Sequence, residues 1–191
     1  MAVDAFLWFE PALSGMAKIQ GESKDSIFGK DGKLGDTPAF EIKDFSFGAE
    51  NPTTIGSTTG GAGAGKVKFN EFQIKKTSDR ASPYFFKNMC AGAHYKNVQI
   101  EMRKAGGDPS TTGKTFMRFK FGTVFTTKID WSGPGDEGPE ESITFVYGLL
   151  GVTYYEQDET GAMTNTNPAG WDQIKNIDAQ PFAKDPDRIG K

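Results

Sequence analysis

Between Thr77 and Gly107 the sequence TSDRASPYFFKNMCAGAHYKNVQIEMRKAGG changes its apolar period once, and that change limits the possible folds. Ser82 offers a helix cap and Pro83 suits the first turn, where a missing N–H costs nothing. Phe86, Met89, Cys90 and Ala93 follow at i, i+3, i+4 and i+7, the spacing of one helical face. Gly92 supplies a stop. Then Val98, Ile100 and Met102 alternate with Asn97, Gln99, Glu101 and Arg103, as in a half-buried strand. Gly106 and Gly107 turn the chain. No other stretch reads convincingly as helix. The expected fold is mainly β, with one α-helix on its side.

The apolar runs elsewhere support this. Ala2–Phe9 reads as a strand. In FEIKDFSFG, Phe40 and Ile42 share one face but Phe45 and Phe47 share the other. In VKFNEFQIKKT the same flip separates Val67 and Phe69 from Phe72 and Ile74. Matching phase changes point to a strand pair that leaves one packing layer and enters another. Phe116–Trp131 reads as a long strand, or two joined at a bend, with Met117, Phe119, Phe121, Phe125, Ile129 and Trp131 on its dry face. ESITFVYGLLGVTYYE is apolar on both faces: Ile143, Phe145, Tyr147 and Leu149 on one, Val146, Leu150, Val152 and Tyr154 on the other. It requires a second layer, from the helix or from another subunit. Residues 1–160 read as one domain and 161–191 as a partly ordered tail, docked only by Trp171, Ile174, Ile177 and Phe182.

The remaining composition excludes more than it proposes. A net charge of −3 argues against nucleic acid as the main partner. One cysteine permits no internal disulfide. Cys90 reads as an inert core thiol. No apolar run is long enough for stable membrane insertion. MAVDAFLWFEPAL lacks a basic leader, so any export from the cytoplasm is expected without a cleaved signal peptide. Gly60–Lys66 spells most of a phosphate-binding loop, but Val67 stands where Ser or Thr would hold magnesium, and a strand follows. One His and one Cys cannot build a usual zinc site. His94 reads as a helix-end hydrogen-bonding group. Asp136, Glu137, Glu140 and Glu141 read as a solvated rim, and Lys75, Lys76, Arg80, Arg103 and Lys104 as surface charge. No cofactor, metal or catalytic set emerges. The pattern favours an assembly or binding protein over an enzyme.

Several pieces together resemble the haemolysin-coregulated protein (Hcp) family, the tube protein of bacterial type VI secretion systems. They are MAVDAFL, GESKDS from Gly21, FEIKDFSFG from Phe40, GAGKVKFNEFQIKKTSDRASP from Gly63, AGAHYKNVQIEMRKAGG from Ala91, ITFVYG from Ile143 and GWD from Gly170. The resemblance implies a two-sheet distorted β-barrel with one helix on its side, assembling into a homohexameric ring. Rings would stack into a secreted tube. Its partners would be further copies of itself, sheath, tip and baseplate proteins, and small effectors.

The resemblance also implies roles for positions. Loop 51–66 matches an extended ring-stacking loop, with Thr53, Thr54, Ile55, Gly56, Gly60, Gly61, Gly63 and Gly65 as candidate contacts. Ser46 matches a lumen-facing position that holds effectors, with Lys43 nearby. Residues 9–19, 26–39 and the tail look longer than the family pattern, and the histidine often found after GES is missing. The alternatives are a phage-like tail tube protein and a β-sandwich module binding carbohydrate or another ligand.

Overall fold

The computed structural model describes residues 3–11, 16, 18–29, 38–52, 65–104, 113–135, 138–157 and 163–184. In chain order the elements are β1 (Val3–Pro11), β2 (Phe40–Glu41), β3 (Asp44–Ser46), β4 (Ala49–Glu50), β5 (Lys68–Phe69), β6 (Phe72–Thr77), α1 (Ser82–Cys90), β7 (His94–Lys104), β8 (Lys114–Gly135), β9 (Gly138–Gln157), β10 (Met163–Asp172), β11 (Ile177–Asp178) and α2 (Gln180–Lys184). Nine strands share one sheet, along the path β11-β10-β9-β8-β7-β1-β2, with β6 joining β9 and β3 joining β6. β4 and β5 form a separate pair.

The sheet folds over its own core along one line. Tyr95 pairs with Val124, which pairs with Tyr147; three residues further along each strand, Val98 pairs with Phe121, which pairs with Leu150. All six belong to or pack on the core. Strict alternation would put residues three apart on opposite faces, so the chain must reset its phase between them. Thr123, with φ +53, sits on this line in β8. The long strands therefore serve both halves of a distorted barrel. Across the interior Phe9 meets Phe145 at 5.7 Å and Phe72 stacks on Phe121 at 4.4 Å. A further irregularity in β8 lies between Thr126 and Lys128. Phe125 falls between the two resets and is exposed, stacked on His94 at 5.1 Å. The single dry face expected for Phe116–Trp131 is thus broken at Phe125, and Trp131 is exposed as well.

The phase flips in the two short strands have the expected cause. After β2 the backbone N–H of Ile42 donates to Ala5 O at 3.2 Å, and that of Lys43 donates to Lys75 O at 3.1 Å. The chain steps from β1 to β6 there, and Phe40, Ile42, Phe45 and Phe47 all reach one core.

The helix forms where expected but turns a different face inward. Ser82, Phe85 and Asn88 are buried, whereas Phe86 and Cys90 are exposed. Phe85 plugs the core beside Phe9 and Phe40, at 5.2 and 5.8 Å. Cys90 is therefore no core thiol. Ser82 is the first helical residue, and Asp79 Oδ1 accepts from the Ala81 amide at 2.8 Å instead.

The outward face of the first half is covered by the chain itself. Residues 20–29 and 38–39 form a strap over β1 and β7, with Phe28 stacked on Phe6 at 4.3 Å. Gly21 is required there: a Cβ would lie 2.0 Å from Ala39 O. The two apolar faces expected for β9 come from the same reset: Ile143, Phe145 and Tyr147 and then Leu150 all reach the core, Val146 and Tyr154 are exposed, and α2 lies over the outward face beyond the reset. Phe182 and Ala183 sit over Gly122 and Gly151, and Thr153 Oγ1 donates to Ala183 O at 3.1 Å. The segment expected as a tail begins, within the described residues, with a strand of the main sheet.

Candidate functional site

Among the described residues one outward face is left largely uncovered, and it is built in register from four strands. Ser46 pairs with Gln73, Gln73 with Thr144, and Thr144 with Lys128. Asp44 pairs with Lys75, Lys75 with Ser142, and Ser142 with Asp130. Period two makes this belt: Phe45, Ile74, Ile143 and Ile129, one residue away, point to the core. Ser46, Asp44, Lys75, Lys128 and Asp130 are exposed, Gln73 and Ser142 are half-buried, and Thr144 is buried.

Lys43 reaches the same face from the crossing between β2 and β3. Its Nζ donates to Glu140 Oε1 at 3.1 Å. The Lys128 and Asp130 side chains approach to 2.6 Å, and Lys75 lies 4.0 Å from Asp44. These exposed pairs contribute little to stability, but each holds a charge against its opposite. Ser142 Oγ is buried without a hydrogen-bond partner.

Of the residues singled out from the sequence, the structure brings Ser46 and Lys43 to this one face. Thr53, Thr54, Ile55, Gly56, Gly60, Gly61 and Gly63 lie outside the described residues, as do Asp136 and Glu137. Gly65 is described, at the base of the β4–β5 hairpin, where a Cβ would meet Pro52 O at 2.3 Å. β5 begins at Lys68, two residues after Lys66, so a strand and not a helix follows the glycines, as the rejection of a phosphate-binding loop required.

Sequence reasoning missed two buried ionic groups. Glu141, expected on a solvated rim, is buried against Lys76, which also lies 3.0 Å from Asp79 Oδ1. Glu141 accepts further bonds from Ser82 Oγ at 2.8 Å and Trp131 Nε1 at 2.9 Å. The group locks the start of α1 to β6, β8 and β9. In the second group Arg103 forks onto Asp25, with Nη1 3.2 Å from Oδ1, beneath the strap and 4.8 Å from the Phe6 ring. Burial pushes the Asp25 carboxyl up, but the Arg103 guanidinium and the amides of Ile27 and Phe28 outweigh it and hold the group below the usual carboxylate range. Beside them Arg118 Nε donates to Glu101 Oε1 at 3.1 Å. Burial alone pushes the Tyr147 hydroxyl up to about 12. Among the described residues no group of three or more His, Cys, Asp or Glu is placed to hold a metal, and no helix is long and apolar enough to cross a membrane.

Known proteins share this architecture. A family model described as "Type VI secretion system effector, Hcp" matches residues 6–154. Protein hcp1 of Pseudomonas aeruginosa is 25% identical over 117 residues, covering 60% of this chain and 70% of that protein. A solved type six secretion system protein superposes with a TM-score of 0.76 at 26% identity, covering 93% of this chain and all of the other. Hcp1 from Salmonella typhimurium gives 0.65 at 23% identity, over 94% of this chain, and shows the shared fold.

Proposed function

This chain belongs to the Hcp family of type VI secretion proteins and is a component of the secretion tube, and on that premise we propose that six copies close into a ring with the Ser46 belt turned inward. One observation carries the orientation. The outward face of the first half of the sheet is covered by the strap and α2, while among the described residues the belt is polar, strand-built and exposed at Ser46, Asp44, Lys75, Lys128 and Asp130. A water-filled channel needs such a wall. Ser46 and Lys43 then line the lumen and contact small effector proteins.

The β4–β5 hairpin supports the second part of the reading. Loop 51–66 joins its two strands, and we assign that loop, with Thr53–Gly65 as its contacts, to stacking between rings. Glycine permits close backbone approach between copies. Sheath, tip and baseplate proteins are the outer partners. The tube is expelled from the cytoplasm, and the role is structural, with no catalytic residue assigned.

Absolute mass by light scattering after size exclusion tests the ring, with negative-stain imaging of the same peak. The expected result is six chain masses and a particle with a central hole. A single-chain mass at every concentration overturns it. In the ring, Ser46→Gln is expected to lose bound effector while keeping the mass.

A further inference from the structure

We infer that the seam between neighbouring copies is a knob in a pocket: Trp131 and Phe86 of one copy enter an apolar pocket beside β3 of the next. The inference deepens the ring reading above and rests on it. The pocket measures about 630 Å³, and its walls include Phe45, Phe47, Met102, Phe116, Met117 and Tyr154. None of these side chains is buried. Trp131 and Phe86 are exposed, with ring centroids 6.1 Å apart, so the two rings form one protrusion.

Their places on the sheet make a second copy the occupant. Among the described residues β3 pairs with β6 alone, so its other side is a sheet edge. Beyond Phe125, β8 pairs with β9 alone and forms the opposite edge. The order is β3, β6, β9, β8, which sets the edges about 14 Å apart, three strand spacings. Within one copy β6 and β9 stand between knob and pocket. Both lie on the same side of the sheet. Phe45 pairs with Ile74, Ile74 with Ile143 and Ile143 with Ile129, and Trp131 is two residues on from Ile129. A second copy set edge to edge in the same sense brings its knob to this pocket without inversion. The contact is head-to-tail, leaving a free knob at one end and a free pocket at the other, as a closing ring requires. Aromatic and methionine side chains are the types enriched at interface centres. Met102 and Met117 adapt to the rings they receive. The seam lies behind the Ser46 belt, on the other face of the same strands.

The test uses the full chain as wild type, Phe86→Asp and Tyr154→Asp, with circular dichroism to confirm that each is folded. Wild type is expected at six chain masses by light scattering, and each variant alone at one. A mixture of the two variants keeps one intact seam, from the knob of the Tyr154→Asp copy to the pocket of the Phe86→Asp copy. At high concentration it is expected to give two-chain particles that grow no further. Separately, benzoylphenylalanine replaces Phe86 in otherwise wild-type chains, and isotopically light and heavy chains are mixed and illuminated. Crosslinks between copies are expected at Met102 or Met117, a readout that stands even where an aspartate variant fails to fold. Six chain masses for either variant, a mixture that stays at one chain, or crosslinks only elsewhere overturns the seam and leaves the pocket to another occupant. A wild type at one chain mass overturns the ring reading and the seam together, so the two failures are distinguished.

Discussion

The Lys76 ammonium and the Glu141 carboxylate face each other with 3% and 0% of their side chains exposed. The pair joins β6 to β9 beneath the first turn of α1. Neither charge is left alone: Asp79 flanks Lys76, while Ser82 and Trp131 donate to Glu141. Removing one partner strands the other in a dry site. Glu141→Ala is therefore expected to lower folding stability by about 3–5 kcal/mol. Replacing both, Lys76→Met with Glu141→Leu, is expected to cost less than the single change, and chemical denaturation of the three proteins checks it.

The helix phase yields a contrast between neighbours. Phe85 is fully buried and Phe86 is 48% exposed. Phe85→Ala is expected to cost about 3–5 kcal/mol by opening a core cavity. Phe86→Ala is expected to stay within about 0.5 kcal/mol. Equal effects in thermal denaturation would reverse the face assigned to α1.

The strap predicts a pH dependence. The Asp25 pKa is depressed in the folded chain, so its contribution is present above the ordinary carboxylate range and is lost as pH falls through the depressed value. Asp25→Asn is expected to cost about 1.5–3 kcal/mol at neutral pH, the range for hydrogen bonds to charged groups. The difference from wild type is expected to vanish in strong acid. Hydrogen exchange at Ile27 and Phe28 reads the strap directly.

Tyr147 acts at the other end of the scale. Its folded pKa is raised to about 12, so the stability it contributes is full below about pH 10 and declines as pH rises toward the folded value. Tyr147→Phe is expected to flatten that decline. At neutral pH it costs at most about 1 kcal/mol, because the hydroxyl's bond to Gly48 O is long, at 3.3 Å. Denaturation midpoints from pH 9 to 12 separate the two proteins.

α2 depends on the absence of a side chain beneath it. A Cβ on Gly151 would lie 3.0 Å from Ala183 Cα. Gly151→Val is expected to lift α2, costing about 1–3 kcal/mol and exposing the amides of α2 to exchange, with the rest of the sheet unchanged.

Much of this fold was legible in the sequence because apolar period is a local property. The switch from 3.6 to 2 in Thr77–Gly107 placed α1 and β7 to within a few residues. The flips in FEIKDFSFG and VKFNEFQIKKT correctly announced that the chain changes partners. Alternation sets Ser46 opposite Phe45, whereas Lys43, three residues away, reaches the same side only because the chain crosses between β2 and β3 toward Glu140. The misreadings share one cause. On α1 both Phe85 and Phe86 fit an apolar stripe, and only the position of Phe9, Phe40 and Phe145 chose Phe85.

The sequence by itself determined the class of fold, through spacing between near neighbours, and the family, through the resemblance of several stretches in order. Tertiary structure alone decided which polar strand residues meet water. Arg103 lies where alternation predicts solvent, and Lys76, though in phase with Phe72 and Ile74, carries a charge that belongs in water; both are buried. What covers them is Asp25 in the strap and the start of α1 with Glu141, brought there from up to 78 residues away. Whether an outward strand face is dry depends on segments that no local period encodes.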